Sequence, residues 1–198
     1  MKLKYAAILI FLIVFADQVL KIWVKTNMYL GEYFSVSGNW FYIHFTENNG
    51  MAFGMEFAGD YGKLILSVLR LISIVVLGYV LYRTCSKPHP VGLVVSIAMI
   101  FAGALGNIID SVFYGKLFGY NELLYGKVVD MFYFPIIEST YPDWFPFWAG
   151  EEFIFFRPVF NIADSSITVG VFMILIFQKG FFKPAPKESP VEAANLQQ

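Results

Sequence analysis

Two aspartates, Asp130 and Asp164, are the residues of this chain best placed by type and context for acid–base chemistry. They occur in Val128-Val129-Asp130-Met131-Phe132 and in Phe160-Asn161-Ile162-Ala163-Asp164-Ser165. Asp164 opens an apolar stretch long enough to span a bilayer, where an ionisable side chain is costly and indicates a functional site. Two carboxyl groups brought together can share one proton, so that one acts as a base and the other as an acid. The pair predicts hydrolytic acid–base chemistry if the fold brings the two side chains together.

The local sequence predicts a different environment for each aspartate. Asn161 is a good N-cap, which places Asp164 at the third position of a helix, where its carboxylate can complete a capping box and the helix dipole favours its ionised form. A capping role alone would therefore be enough to explain an aspartate at position 164. Asp130 lies in an apolar run without a cap position, and its burial there would raise its pKa. One carboxyl group biased toward ionisation and one toward protonation is the asymmetry that acid–base catalysis uses.

Two further groups of polar residues lie within apolar stretches. Asp17 and Lys21 are four residues apart and share one helix face. They could form a buried ion pair, Lys21 could instead reach toward the membrane interface, or the two residues could contact the substrate. Gly103, Gly106, Asn107 and Asp110 also share one helical stripe. Small residues allow close approach of a second helix, and the polar ones should point inward. The stripe is either a structural polar clasp or the support of an active site.

The composition is that of a polytopic membrane protein. Of 198 residues, 58% are hydrophobic and only 15% are charged, and the mean hydropathy is +0.61, which leaves too little polar surface for a soluble domain. The net charge of −1 gives no indication of nucleic-acid binding. The single cysteine, Cys85, cannot form an internal disulfide.

Four apolar stretches are long enough to cross a bilayer, since about 20 helical residues span the hydrocarbon core. We predict spans at approximately 5–24, 64–82, 91–113 and 164–182. The first stretch could be a cleaved secretory signal, but Phe15-Ala16-Asp17-Gln18 lacks the small-x-small cleavage pattern and the apolar character resumes through Val24. The predicted fold class is an integral membrane protein, mainly α, in which residues 1–183 form one domain and residues 184–198 a disordered cytoplasmic tail.

The distribution of cations predicts the orientation in the membrane. With four spans both ends of the chain lie on one side, and the short segments of that side hold Lys2, Lys4, Arg83, Lys87, Lys179, Lys183 and Lys187. The two long loops hold only Lys25, Lys63, Lys116, Lys127 and Arg157. The positive-inside rule therefore places both termini in the cytoplasm and both aspartates at the extracytoplasmic face.

The two outer loops have different patterns. In the first, Asn39–Phe45 is aromatic and β-branched enough for a short strand, and Met51–Ala58 could lie as a small helix in the membrane interface. The second, Gly115–Ala163, is rich in aromatic residues and is predicted to be a loop that dips into the headgroup layer.

Other chemistries have less support. The predicted topology puts His44 and His89 on opposite sides of the membrane, so they cannot share a metal, and no glycine-rich phosphate loop is present. A transporter could use intramembrane carboxylates, but the polar clusters gather near one face and leave the cytoplasmic halves of the spans apolar. A small transporter, or a membrane scaffold that uses these residues structurally, remains the alternative to an enzyme.

Five motifs occur in order along nearly the whole chain, from Asp17 to Gly170. They are Asp17-Gln18-x-x-Lys21, Asn48-x-Gly50-x-Ala52-Phe53, Gly103-Ala104-Leu105-Gly106-Asn107-x-x-Asp110, Val128-Val129-Asp130-x-Phe132, and Phe160-Asn161-x-Ala163-Asp164-Ser165-x-Ile167-Thr168-x-Gly170. Each motif is weak alone, but all five on four spans are specific. On these motifs the chain resembles the lipoprotein signal peptidases, the bacterial signal peptidase II family.

The resemblance implies a four-helix aspartic endopeptidase of the bacterial inner membrane with a small extracytoplasmic β-cradle. Such an enzyme would remove the signal peptide of diacylglyceryl-modified prolipoproteins by cutting before the lipidated cysteine. The resemblance implies Asp130 and Asp164 as the catalytic dyad, with no metal or cofactor. Its partners would be prolipoprotein substrates and membrane lipids, without nucleic acid, and the enzyme would act as a monomer. Substrate-binding or supporting roles would fall to Asn48, Asn107, Asp110, Asn161, Asp17 and Lys21.

The chain departs from the family pattern in two places that matter. Ser111 stands where the family usually has an arginine, so Asp110 needs another cation, for which Arg157 is one candidate. In addition, 33 residues separate Asp130 from Asp164, more than a compact member needs. The extra aromatic segment, Tyr141–Phe156, could form a lid or a membrane rim. The replacement of a usual alanine by Met51 is minor.

Overall fold

The fold is built on four long apolar helices, as predicted. The computed structural model describes residue 1, residues 3–49 and residues 59–182. Within these residues four helices are long and apolar enough to cross a membrane, and they are somewhat longer than the predicted apolar stretches. The helices are α1 (Leu3–Asn27), α2 (Gly59–Cys85), α3 (Val91–Ile109) and α5 (Ile162–Phe181).

The third span does not end at Ile109. It continues through one π-helical turn, Asp110–Tyr114, into the short helix α4, Gly115–Leu117, and the span as a whole runs to Leu117. A π turn inserts one residue into the helical repeat and is frequent at functional sites. Here it turns the side chains of Asp110, Ser111 and Tyr114 toward the interior, where all three are buried.

An antiparallel sheet lies at the end of the bundle where α1 and α3 finish and α5 begins. Its strand order is β1-β2-β3-β6, and its register places Thr46 opposite Asp130 and Phe132 opposite Phe160. The strand predicted within Asn39–Phe45 is present as part of β2. The strands are β1 (Tyr33–Ser37), β2 (Phe41–Asn48), β3 (Val128–Tyr133) and β6 (Val159–Phe160).

The prediction that Gly115–Ala163 is a simple loop is wrong. Besides β3 and β6, this segment forms a second hairpin from β4 (Ile137–Thr140) and β5 (Glu152–Phe155). Rings pack on one another across the hairpin, with Tyr141 against Phe145, Trp148 and Phe153. The aromatic density that suggested a headgroup-seeking loop therefore builds, in part, a compact hairpin.

A cluster of buried apolar side chains holds the sheet against the helix ends. It joins the end of α1 and the π turn to the inner faces of β2 and β3, and packing of this kind fixes the positions of the strands relative to the helices. The members are Val24, Met28, Ile43, Phe45, Tyr114, Val129 and Met131.

Glycines bring α3 and α5 into close contact. A Cβ atom at Gly103 would lie 2.2 Å from the carbonyl oxygen of Ala163, and one at Gly106 would lie 2.7 Å from Asp17 Oδ2. Only glycine permits these approaches, which is the packing role that small residues have in membrane helices. The contact sets the start of α5 beside the polar stripe of α3.

Two expectations concern other parts of the chain. The interfacial helix at Met51–Ala58 and the disordered tail at 184–198 lie outside the described residues.

Candidate active site

Asn161 and Asp164 form a complete capping box at the start of α5. The Asn161 side chain accepts a hydrogen bond from the backbone N–H of Asp164 at 2.9 Å, and Asp164 Oδ2 accepts one from the backbone N–H of Asn161 at 3.3 Å. The box uses one oxygen of the Asp164 carboxylate. The other oxygen, Oδ1, accepts a hydrogen bond from Asn107 Nδ2 at 2.7 Å. Capping fixes this carboxylate in place while its side chain remains partly exposed.

Asp130 is joined to the same cap residue from the opposite side. Asn161 Nδ2 donates to Asp130 Oδ1 at 2.6 Å and also to the carbonyl oxygen of Val129 at 3.2 Å. Asp130 is only 4% exposed, and burial, followed by the negative charge of Asp164, raises its pKa from 3.8 to about 7. Lys21 and the hydrogen bond from Asn161 oppose this rise. Asp130 is therefore the carboxyl group that keeps a proton near neutral pH.

The orientation of Asn107 is fixed by a buried cation. Lys21 Nζ donates to Asn107 Oδ1 at 2.9 Å, and Asn161 Nδ2 donates to the same oxygen at 3.2 Å. Because Oδ1 accepts both of these bonds, Nδ2 is the end of the amide that faces Asp164. The contacts run without a break from Lys21 through the two asparagines to both aspartates.

Lys21 is fully buried and does not extend to the protein surface. Its ammonium group lies 2.9 Å from Asp17 Oδ2 and 2.8 Å from Asp110 Oδ2. With Asn107 Oδ1 these make three acceptors, the number that an ammonium group can satisfy. Asp17 also accepts the backbone N–H of Ala163 at 2.9 Å, which ties α1 to the first turn of α5. The geometry is that of a buried ion-pair cluster supporting the site.

Gln18 completes the surroundings of Asp110. Its Nε2 donates to Asp110 Oδ1 at 2.9 Å, and its Oε1 accepts from the Tyr114 hydroxyl at 3.1 Å. The backbone N–H of Val129 donates to Asp110 Oδ2 at 3.3 Å. Asp110 thus connects α1, α3 and the strand that carries Asp130, and Arg157, the candidate cation named from the sequence, is not among these partners. Arg157 instead lines an open cavity of about 500 Å³ beside Tyr33, Tyr42, His44, Tyr133, Ile154 and Val159.

Arg70 is a residue of the site that the sequence analysis missed. Its Nη1 donates to Ser111 Oγ at 2.6 Å, and Ser111 Oγ donates to the carbonyl oxygen of Asn107 at 2.9 Å. The carboxylates whose charges act on the guanidinium are Asp164, Asp110 and Asp130. An arginine inside the predicted second span was itself a signal, because such residues are costly in a membrane unless they have a role.

Asn48 lies on β2, beside the strand that carries Asp130. The ladder pairs it with Val128, two residues before Asp130. Five of the predicted site residues besides Asp130 and Asp164 are therefore linked by hydrogen bonds or ion pairs into one cluster, and Asn48 borders it. The five are Asp17, Lys21, Asn107, Asp110 and Asn161.

The arrangement suits acid–base chemistry on a bound peptide. It presents one buried carboxyl group that tends to hold a proton and one partly exposed carboxylate held by amides. In the described part of the chain, no group of three or more His, Cys, Asp and Glu side chains could hold a metal ion.

Comparison with known proteins decides the family. The model of the signal peptidase (SPase) II family matches residues 9–179. The chain belongs to the signal peptidase II family. A lipoprotein signal peptidase of Porphyromonas gingivalis is 46% identical over 189 residues, with 87% of this chain and 82% of the relative covered. One of Amoebophilus asiaticus is 35% identical, with 93% and 82% covered.

Solved structures agree with this assignment. A bacterial membrane enzyme structure determined by the in meso method at 2.3 Å resolution has a TM-score of 0.63 at 28% sequence identity, with 94% of this chain and 95% of that chain covered. A second structure, at 1.9 Å resolution, has a TM-score of 0.59 at 29% identity, with 92% of this chain and 96% of that chain covered. The protein is a multi-pass membrane protein of a protease family.

Proposed function

We propose that this protein is an intramembrane aspartic endopeptidase that removes the signal peptide of diacylglyceryl-modified prolipoproteins. Its family membership and its lipoprotein signal peptidase relatives support the substrate class. The observation that carries the aspartic mechanism is Asn161. Its side-chain amide donates to Asp130 Oδ1, its side-chain oxygen accepts from the backbone N–H of Asp164, and its own backbone N–H donates to Asp164 Oδ2. A scaffold or transporter is not favoured, because the chain belongs to a protease family.

In the proposed mechanism the two carboxyl groups have different roles. Asp164, held by Asn107 and the capping box, is the carboxylate that accepts a proton from the attacking water. Asp130 carries the proton and donates a hydrogen bond to the scissile carbonyl oxygen, which becomes negative as water adds. When the peptide bond breaks, Asp164 passes the proton that it took from water to the departing nitrogen and becomes a carboxylate again. Asn161 keeps the two groups aligned. The residues around Lys21 act as support and do not contact the substrate.

The proposed location follows from the positive-inside rule. Both termini would be cytoplasmic, the dyad would face the outer leaflet of the bacterial inner membrane, and the lipid chains of the substrate would lie between helices on the membrane side. Residues 1–183 would form one catalytic domain that acts as a monomer, with Asn48 near the bound peptide.

The test of the substrate class is a cleavage assay with purified protein. A diacylglyceryl-modified prolipoprotein and the same precursor without lipid are compared, and the products are identified by mass spectrometry. We expect a single cut directly before the lipidated cysteine and no cut in the unmodified precursor. Equal cleavage of both precursors, or cleavage at another bond, would refute the proposed specificity.

The pH dependence of the same reaction tests the protonation states. Because Asp130 must be protonated and its pKa is about 7, we expect kcat/KM to fall as the pH rises through about 7. A rate that increases steadily from pH 6 to pH 9 would contradict the assignment of Asp130 as the protonated partner.

A further inference from the structure

Helix α2 carries a stripe of three polar residues in its first half. Lys63, Ser67 and Arg70 are spaced at four and three residues, so they share one face. Lys63 is 7% and Ser67 1% exposed, and Ser67 Oγ donates to the carbonyl oxygen of Leu124 at 2.7 Å. The stripe therefore faces the interior and the segment that leads into β3. Arg70 lies deepest, about 13 Å along the helix axis from Tyr61, where the candidate span begins.

The position of Arg70 is fixed by the π turn that follows α3. Its hydrogen bond to Ser111 is 2.6 Å long, and Ser111 is fully buried in the π turn. Ser111 in turn bonds to the backbone of Asn107, the residue whose amide contacts Asp164. The guanidinium is therefore attached to the same helical turn that positions the dyad.

The charges around the dyad assign a partner to Arg70. Lys21 and Asp17 from α1 and Asp110 from the third span form their own ion-pair cluster. The carboxylates that interact electrostatically with Arg70 are Asp164, Asp110 and Asp130. Lys63, the other cation of the stripe, donates to the carbonyl oxygen of Asn49 at 3.0 Å. Arg70 is thus the cation of the stripe that is bonded to the turn beside the dyad.

We propose that Arg70 is a positioning residue for the dyad: anchored by Ser111, its charged group holds the helical turn from which Asn107 orients the Asp164 carboxylate. This inference rests on the proposed function and adds to it a residue that orients Asp164. Arg70 then affects the chemical step, through Asp164, more than the binding of substrate.

The experiment compares Arg70→Met and Arg70→Lys with the unaltered protein on the diacylglyceryl prolipoprotein. We expect Arg70→Met to lower kcat by at least about tenfold with little change in KM, since a residue that acts through Asp164 contributes to the transition state more than to the bound substrate. Arg70→Lys, which keeps the charge, should recover most of kcat. The matched control is Arg83→Met, at the other end of α2, where the guanidinium contacts Tyr79, and it should leave both constants unchanged.

A swap of the two contacting residues gives a second test that does not depend on one variant. Arg70→Ser should lose activity, and Arg70→Ser combined with Ser111→Arg should regain at least about tenfold of kcat, because the guanidinium returns to the same place from α3. A raised KM at unchanged kcat in Arg70→Met would overturn the positioning role in favour of substrate binding. If Arg70→Met does not fold, the positioning role is tested by the other variants. It would be overturned if kcat is low both in Arg70→Lys and in the double variant with the swapped residues. Absence of cleavage by the unaltered protein would instead overturn the proposed function.

Discussion

Replacing Asp130 by asparagine should make the protein more stable at alkaline pH while it abolishes cleavage. In the folded protein the pKa of Asp130 is about 7, above its usual value of 3.8. A group whose pKa is raised by folding stabilises the fold fully below the unfolded pKa, and this contribution is lost as the pH rises through the folded pKa. The introduced asparagine would accept the hydrogen bond from Asn161 without ever becoming charged.

The magnitude follows from the pKa difference. Between pH 5 and the pKa of about 7 that Asp130 has in the folded protein, the Asp130 carboxyl group has already lost its proton in the unfolded chain but keeps it in the folded protein. Each pH unit in this interval removes about 1.4 kcal/mol, so the wild type should lose about 3 kcal/mol between pH 5 and pH 8 that Asp130→Asn keeps. For a chain of this size the difference in Tm should grow by about 6–12 °C.

The assay is thermal unfolding in detergent at pH 5 and at pH 8. Asp143→Asn is the matched control, because Asp143 is exposed on the second hairpin, and its Tm difference from the wild type should not change with pH. A Tm difference for Asp130→Asn that is equal at the two pH values would show that Asp130 is not buried with a raised pKa.

Three further variants test the surroundings of the dyad. Asn161→Ser keeps an N-cap and Asn161→Ala does not, so Asn161→Ala should be less stable than Asn161→Ser by about 1 kcal/mol. Both variants lose the side-chain amide that donates to Asp130, so both should lose activity. Full activity in either variant would refute the proposal that Asn161 aligns the two aspartates. Lys21→Met leaves the carboxylates of Asp17 and Asp110 buried without their cation and should cost about 3–5 kcal/mol, measured as lost Tm or yield; adding Asp110→Asn should restore part of it. Gly103→Ala would place a Cβ atom 2.2 Å from the carbonyl oxygen of Ala163, so it should lower the free energy of unfolding by about 1–3 kcal/mol and reduce cleavage. The control is Gly180→Ala, where nothing lies within 4 Å of the added atom, and it should change neither stability nor cleavage.

Local sequence rules predicted the parts of the site that depend on short spacings. The capping box of Asn161 and Asp164 follows from an N-cap residue and an acid three positions later. The contact between Lys21 and Asp17 follows from a spacing of four on a helix. The stripe that contains Gly103 and Asn107 combines a close helix contact with a hydrogen bond from Asn107 to Asp164, two features that the sequence had left as alternatives.

Other features depended on contacts between distant segments. The pairing of Arg70 with Ser111 joins two helices, and the π turn that orients Ser111 has no simple sequence signal. The second hairpin was missed because its aromatic residues were assigned to the membrane interface, whereas strand pairing depends on the partner strand as much as on composition. The choice of Asp130 as the partner of Asp164 came from resemblance to a family, and Asn161 is the contact that gives it a physical basis.

The most direct measurement is the cleavage of a diacylglyceryl prolipoprotein by Asp130→Asn and by Asp164→Asn, each purified in folded form. The account predicts that neither variant releases signal peptide, although Asp130→Asn is at least as stable as the wild type at pH 8. Asp143→Asn, measured in parallel, should cleave normally. Cleavage at a wild-type rate by either folded dyad variant would contradict the assignment of Asp130 and Asp164 as the catalytic pair.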